Sequence, residues 1–576
     1  MIQDSSYLPS HSKSRIVMYN LDDKLSTPVE YFYKWEKERA NEVFLRQPKG
    51  DEWHELTYQQ AGQEARKMAS ALKGLGLQKG DHVALISKNC YHWVLSDLAI
   101  MMAGMVSVPL YPSLDATQLA KILEQSDSKA IIIGKLDKWN KKEGIPSDMP
   151  AVKFPDYPAS ARVDTGLMWN DLISKHDPLQ DVHQPDLDDN WTIIYTSGTT
   201  GTPKGVVHTY RSPASVARSE EINNNLQFFT PKRTRFFSFL PLNHIAERTA
   251  VEIGCLMSGG SMSFAESLET FGKNLSETSP TFFFAVPRLW KKFEQGVLAK
   301  MPQKKLDRML SLPIVSGMVK KKIRKTLGLS DALCIITGAS MTPESLKTWF
   351  RRLGVNLREG YGMTENMGAF SNMPAGQYKP NTVGKVVTNC ECRIDPETEE
   401  ILMKTPWTMK EYYKDPELTA KTIQDGWMHS GDKGVLDSDG YIKIIGRVKD
   451  AFKTAKGKFI VPTTIEEKFS SSEYIEQICV AGLGTAQPIA LINLSEFGLK
   501  CDKHEVEENL GQELESVNKQ LHAHEKLASV VVTKDAWTDE NKLLTPTLKI
   551  KRGAINERYG ANMHEWCDSK DNVIWE

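Results

Sequence analysis

No stretch of this sequence is long and apolar enough to cross a bilayer. The most apolar run, Leu98 to Tyr111, is interrupted by Gly104 and Pro109 and falls short of the roughly 20 residues that a spanning helix requires. The first residues, MIQDSSYLPSHSKSRI, lack the apolar centre of a secretory signal. Charge of one sign is not in excess either: 72 Lys and Arg stand against 73 Asp and Glu, so there is no basic surplus for nucleic acid and no long acidic tail. The eight cysteines are scattered. The one close pair, Cys390 and Cys392, has a single intervening residue, which makes neither a redox nor a zinc motif. A reducing, cytoplasmic setting is the simpler expectation, with peripheral membrane contact and oligomeric state left open. No internal repeat or long low-complexity tract is present, which disfavours solenoids.

What is present is enough chain for two or more cores, since 576 residues exceed one ordinary domain. From Glu55 to Pro112 the text alternates helix and strand: LTYQQAGQEARKMASALKGLGL, HVALISKN, HWVLSDLAIMMAGM, VSVPLYP. Such alternation predicts parallel strands joined by crossover helices, an α/β fold. In the first helix Ala61, Ala65, Met68, Ala69 and Leu72 recur at helical spacing, and Gly74 to Gly76 ends it. A short strand is expected at Ala130 to Ile133.

The chemistry centres on WTIIYTSGTTGTPKGVV, residues 191–207. Trp191 to Tyr195 has the residue types of a buried strand, and Ser197-Gly198 stops it. Four hydroxyls follow at Thr196, Ser197, Thr199 and Thr200. Gly198 and Gly201 let main-chain N–H groups converge on an anion, and Lys204 adds a positive charge. A Walker-type loop needs Gly-Lys-Ser/Thr opening a helix, whereas here Pro203 precedes Lys204 and Gly205 follows it. A flexible linker shares the composition but would not be flanked on both sides by apolar strand-like segments. Phosphate binding is therefore the favoured reading.

Further along, a helix is expected over Ala214 to Leu226, then the strand-like FFSFLPLNHIAER, which sets His244 at a strand end, where open α/β sheets place ligands. Residues 301–330 are strongly basic, and a solvated helix face is favoured over an anionic-membrane patch. ALCIITGAS (332–340) and VNLREGYGMTE (355–365) are both strands stopped by glycine, and two such ends can form a flat slot. In GWMHSGDKGVLDSDGYIKIIGRVKD (426–450), Asp432 can accept bonds from two hydroxyls, Arg447 can supply a cation, and Asp437 to Gly440 reads as a hairpin turn.

These motifs, in this order from about Glu55 to Arg552, resemble the adenylate-forming (AMP-binding) superfamily, the long-chain fatty acyl-CoA synthetase branch in particular. The resemblance implies a large N-terminal domain of stacked β-sheets with covering helices (1–445), a hinge (446–450) at Lys449, and a small mobile α+β domain (451–576). It implies that Thr196 to Gly201 and Lys204 hold the ATP phosphates. Gly338, Ala339, Ser340, Glu359, Gly360 and Tyr361 would line adenine, with Tyr361 stacked on the ring. Thr364 would approach the α-phosphate, Glu365 would hold Mg²⁺, and Asp432 and Arg447 would hold the ribose. Lys549, after the Thr-Pro-Thr of LTPTLKIKR, would be the catalytic lysine. His244, with Ile245, Ala246, Val251 and Ile253, would border a fatty acid tunnel. The loop at Lys456-Gly457-Lys458-Phe459, in place of the commoner Gly-Gly-Glu-Asn, would line the passage for CoA. The implied activity is ATP-dependent formation of an acyl adenylate and its transfer to CoA. Loading of a carrier protein, a silent lipid or nucleotide sensor, and luciferase-like oxidation are the alternatives.

Overall fold

The computed structural model describes Leu21 and residues 24–197, 203–545 and 549–576. Its largest sheet has eight strands, in the order Glu411–Tyr412, Pro203–Thr209, Asn190–Ser197, Val106–Leu110, His82–Ile86, Ser128–Ile133, Ala151–Lys153, Leu167–Met168. The six from Asn190–Ser197 onward run parallel, and the first two are antiparallel additions. The alternating text from Glu55 thus folds as expected.

The first helix, Tyr58–Gly74, opens with a reciprocal cap. The Gln60 backbone N–H donates to Thr57 Oγ1 (3.2 Å), and the Thr57 N–H donates to Gln60 Oε1 (2.9 Å). Its expected apolar face is fully buried. The most apolar run of the chain resolves into the end of a second helix, Tyr91–Met102, a turn at Gly104 (φ 76°), and the strand Val106–Leu110. Every residue of that helix is buried, which explains a hydrophobicity that has nothing to do with a bilayer.

A second sheet begins with three parallel strands, Phe282–Ala285, Cys334–Thr337 and Arg358–Tyr361, and continues antiparallel through Ser371–Asn372 and Lys385–Val386. A third, antiparallel sheet contains Trp427–Leu436 paired with Ile442–Arg447, so Asp437 to Gly440 is a hairpin turn as expected. Two boundaries differ. The helix expected from Ala214 runs Arg211–Asn223 and stops where Asn224 turns left-handed (φ 47°). The strand before His244 is only Arg235–Ser238; the next N–H, that of Phe239, donates to Glu247 Oε1 (3.0 Å).

The C-terminal part has a sheet of its own, Ile475–Ala481, Ile489–Leu494, Val530–Val532 and Val573–Trp575, with separate apolar cores around Leu510 and Trp566. The expected hinge needs correction. Gly446 and Arg447 pair with Lys433 and Asp432 inside the third sheet, and a Cβ on Gly446 would sit 2.7 Å from Val461. Only residues 448–450 lie beyond the strand.

Candidate active site

The phosphate loop joins two antiparallel strands. Thr196 faces Lys204 and Ser197 faces Pro203 across the pair, so strands flank residues 198–202 on both sides, a different frame from the strand and helix that flank a Walker loop. Gly198, Thr199, Thr200 and Gly201 lie outside the described residues. Gly205 is required by space, since a Cβ there would meet Ile193 at 2.9 Å and the Tyr195 ring at 3.1 Å.

Lys204 points its ammonium over the Tyr412 ring, 5.4 Å from its centre, a cation–π contact. Tyr412 donates its hydroxyl to Glu365 Oε1 (2.6 Å). Burial and the Glu365 charge hold that phenol far above the usual range, so it remains a donor. Glu365 is nearly buried, with one carboxylate oxygen committed to Tyr412. The preceding Thr364 is held through its carbonyl, which accepts from His208 Nε2 (2.7 Å), while His208 Nδ1 lies 3.2 Å from Ser212 Oγ. His208 is fully buried, and desolvation lowers its pKa to about 4. The ring is neutral, with its proton on Nε2 and the Ser212 hydroxyl donating to Nδ1. His208 therefore ties the strand carrying Lys204 to the turn carrying Thr364 and Glu365. Sequence reading missed both Tyr412 and His208; the one signal for His208 was its place in the apolar strand-like run that follows Lys204.

The second pair of strand ends, expected to form a slot, lies close together. A Cβ on Gly338 would lie 2.7 Å from the Gly360 carbonyl, so the two strand ends approach closely only because position 338 is glycine. Ala339 turns left-handed there (φ 65°). Glu359 departs from expectation: its carboxylate accepts from Lys347 Nζ (2.6 Å) and the Thr342 N–H (2.9 Å) in the interior, where an unpaired charge would be costly. Its side chain is therefore committed to the interior. Tyr361 donates its hydroxyl to Asp432 Oδ2 (2.6 Å), and Arg447 Nε meets Asp432 Oδ1 at 2.8 Å. Burial keeps the Asp432 carboxyl above its ordinary pKa despite Arg447 and Tyr361, while Asp432 raises the Arg447 guanidinium.

Lys549 comes from the C-terminal part and reaches the same place. Its side chain keeps accessible surface, yet its ammonium stands among enough protein to lower its pKa by desolvation. Arg447 pushes the same way, and Asp432 and Glu365 oppose. Lys549 in turn adds to the burial that lowers His244 to about 3. His244 caps the short helix Ile245–Glu247, its Nδ1 accepting from the Ala246 N–H (3.2 Å), so the neutral ring carries its proton on Nε2. Lys204 (through Tyr412), Glu365, Asp432, Arg447, His244 and Lys549 are thus near enough to act on one another's charge, brought together from both ends of the chain. Part of the Thr-Pro-Thr turn before Lys549, residues 546 and 547, lies outside the described residues.

Two expected residues stand apart from this group. Lys449 is exposed just past the third sheet, and Gly457 (φ 71°) forms the tip of a hairpin between Phe452–Lys453 and Phe459–Ile460, where only glycine is unstrained.

An AMP-binding enzyme family model matches residues 32–413, and an AMP-binding enzyme C-terminal domain model matches 449–570. The chain belongs to the AMP-binding enzyme family. Within the family it is similar to fatty acyl-CoA synthetase A of Dictyostelium discoideum, 27% identical over 88% of this chain and 84% of that protein. It is also similar to the peroxisomal long chain acyl-CoA synthetase 6 of Arabidopsis thaliana (29%, 90% and 82%) and to long-chain-fatty-acid–CoA ligase 5 of Mus musculus (29%, 86% and 82%). Among solved structures, an anthranilate CoA ligase in complex with anthranoyl-AMP matches with a TM-score of 0.75 at 22% identity, over 94% of this chain and 99% of that one. The o-succinylbenzoate CoA synthetase of Bacillus subtilis matches at 0.71 and 20% over 91% and 97%. The fold is that of this family: a large α/β N-terminal domain followed by a small C-terminal one.

Proposed function

We propose that this family member is a long-chain fatty acid–CoA ligase: it uses ATP to convert a fatty acid to an acyl adenylate, releasing pyrophosphate, and passes the acyl group to CoA, releasing AMP. Support comes from the curated long-chain relatives aligned over most of both chains and from the cluster of Glu365, Asp432, Arg447 and Lys549. The single observation that carries the mechanism is that Lys549 lies near enough to Asp432 and Glu365 for their charges to act on its ammonium, although they stand 117 and 184 positions away in the sequence.

In the first half-reaction a carboxylate oxygen attacks the α-phosphorus, and the bond to pyrophosphate breaks. Two anions must approach, so the protein's task is positioning and charge compensation. Lys204 and the loop from Thr196 to Gly201 grip the outer phosphates. Lys549 bridges the carboxylate and the α-phosphate, where the developing charge is largest. Asp432 accepts from the ribose hydroxyls with Arg447 beside it. The Gly338–Ser340 and Gly360–Tyr361 ends take adenine, and Thr364 lies toward the α-phosphate. Neutral His244 offers an Nε2–H donor on the acyl side. Glu365 suits Mg²⁺: Tyr412 holds one carboxylate oxygen and the other has no protein partner among the described residues, leaving a hard oxygen of the kind that ion takes from protein beside phosphate and water. When bound, the ion would offset triphosphate charge.

For the second half-reaction, the small domain (451–576) turns on the large one (1–445) about Lys449, withdrawing Lys549 and presenting the Gly457 hairpin to the thiol. The CoA sulfur then attacks the acyl carbon and AMP leaves. This reading extends to peripheral contact with membranes, where long-chain acids partition.

Lys549→Ala tests it. Palmitate-dependent pyrophosphate release should fall by roughly three orders of magnitude, as when a transition-state charge contact is lost, while thioester formation from supplied palmitoyl adenylate and CoA persists. Equal loss of both steps would remove Lys549 from the adenylating role.

A further inference from the structure

We infer that the helical hairpin of Gln303–Leu310 and Pro313–Thr326 is a docking surface for anionic lipid, through Leu312, Ile314 and Met318 set among lysines. The inference is independent of which acid the enzyme activates.

Sequence alone suggested a merely solvated basic face, but the structure adds exposed apolar side chains. Leu312 is 49% exposed, Ile314 83% and Met318 61%, and no other seven-residue stretch of the described chain carries three large exposed apolar residues. At 83% Ile314 projects from the surface instead of lining a groove. Ile314, Met318, Lys321 and Lys325 follow one another at three- and four-residue spacing and so share one face of their helix. The opposite face, Val319 and Ile323, is buried with Leu306, Phe283 and Trp290. The exposed stripe is therefore apolar at its first turn and cationic at its last.

The charge is one-sided. Between residues 301 and 326 eight side chains are Lys or Arg and one, Asp307, is acidic. Asp307 is already paired with Arg352 from another helix, so the cations on this face have no acid of their own segment to answer them. Aliphatic residues at a protruding turn, ringed by long cationic arms, match the two layers of a lipid surface: acyl chains below, anionic headgroups above. An acidic protein would answer the charge but would need a concavity for Ile314.

The test is cosedimentation of the full chain with vesicles of phosphatidylcholine alone or mixed with phosphatidylglycerol, over a range of NaCl. Binding is expected to the mixed vesicles, weakening as salt rises, with little to the neutral ones. Ile314→Glu/Met318→Glu and, separately, Lys321→Glu/Lys325→Glu should each weaken it by roughly tenfold or more, with melting temperature and turnover of a short, soluble acid unchanged. Either pair binding mixed vesicles as the parent does would overturn the assignment. So would a parent that binds neither vesicle, or one that ignores both and instead captures an acidic acyl carrier protein in a manner sensitive to these substitutions.

Discussion

Two carboxylate–guanidinium pairs in this protein use the same chemistry to opposite ends. Asp97 and Arg248 are sealed inside: Arg248 Nη2 reaches both carboxylate oxygens at 2.7 and 2.8 Å, its guanidinium lies 4.3 Å from the Trp191 ring centre and 5.3 Å from that of Trp93, and neither side chain is more than 1% exposed. Asp432 and Arg447 sit directly opposite on adjacent strands, joined by one contact at 2.8 Å with Tyr361 as a third partner, and Arg447 is half exposed. The first pair is closed off from any ligand, with Glu252 Oε2 3.7 Å from Arg248 Nε in the same buried cluster, and behaves as a structural rivet. The second leaves the Arg447 guanidinium half open to solvent. Burial, more than residue type, separates a charge that builds the fold from one available to a ligand.

The contrast predicts opposite profiles for substitution. Arg248→Met leaves Asp97 charged and unpaired in the interior, and should cost about 3–5 kcal/mol of unfolding free energy, read from urea melts. A loss below about 1 kcal/mol would mean the pair is not the rivet it resembles. Asp432→Asn should barely move the melt and instead lower kcat/KM for ATP by roughly 10- to 100-fold, the scale of one or two charge-assisted hydrogen bonds. If that substitution instead destabilised the fold and left ATP kinetics unchanged, the distinction would be erased.

A smaller effect comes from Glu247, one residue before Arg248. It accepts from Ser238 Oγ (2.9 Å) and the Phe239 N–H (3.0 Å), but burial outweighs both and raises its pKa to about 8. The native state keeps a proton that the unfolded chain releases near pH 4, so stability from this group is complete below that point, drains as pH rises to about 8, and then levels. Glu247→Gln retains an acceptor without the titration. It should gain roughly 1–3 kcal/mol over the parent between pH 5 and 8, measured as unfolding free energy across that range; parallel curves would show a carboxyl of ordinary acidity.

The parallel strands and the first helix were legible because period and capping are local: Thr57 and Gln60 lie three residues apart, and Ala61 through Leu72 share one face. The strand stopped before Gly338 was legible for the same reason, whereas Gly360 lies inside its strand, Arg358–Tyr361. Asp97 was not, being one acid in an otherwise apolar helix whose partner lies 151 residues away. The buried partner of Glu359 was not legible, because Lys347 claims its carboxylate from the preceding helix, Glu344–Arg352. Tyr412 and His208 were passed over because a single Tyr or His carries no pattern, and their meaning rests on Glu365 and Thr364. The union of Lys549 with Asp432 could be expected only from the resemblance, since no local rule connects them.

The continuation of the third sheet through Arg447 has a mechanical corollary. If the pivot lies past that strand, then the residues proposed to hold the ribose belong wholly to the stationary body, and the swing of the tail carries away a lysine without loosening the sugar. The nucleotide would be gripped once and used twice, so the adenylate need never be released between the two chemical steps.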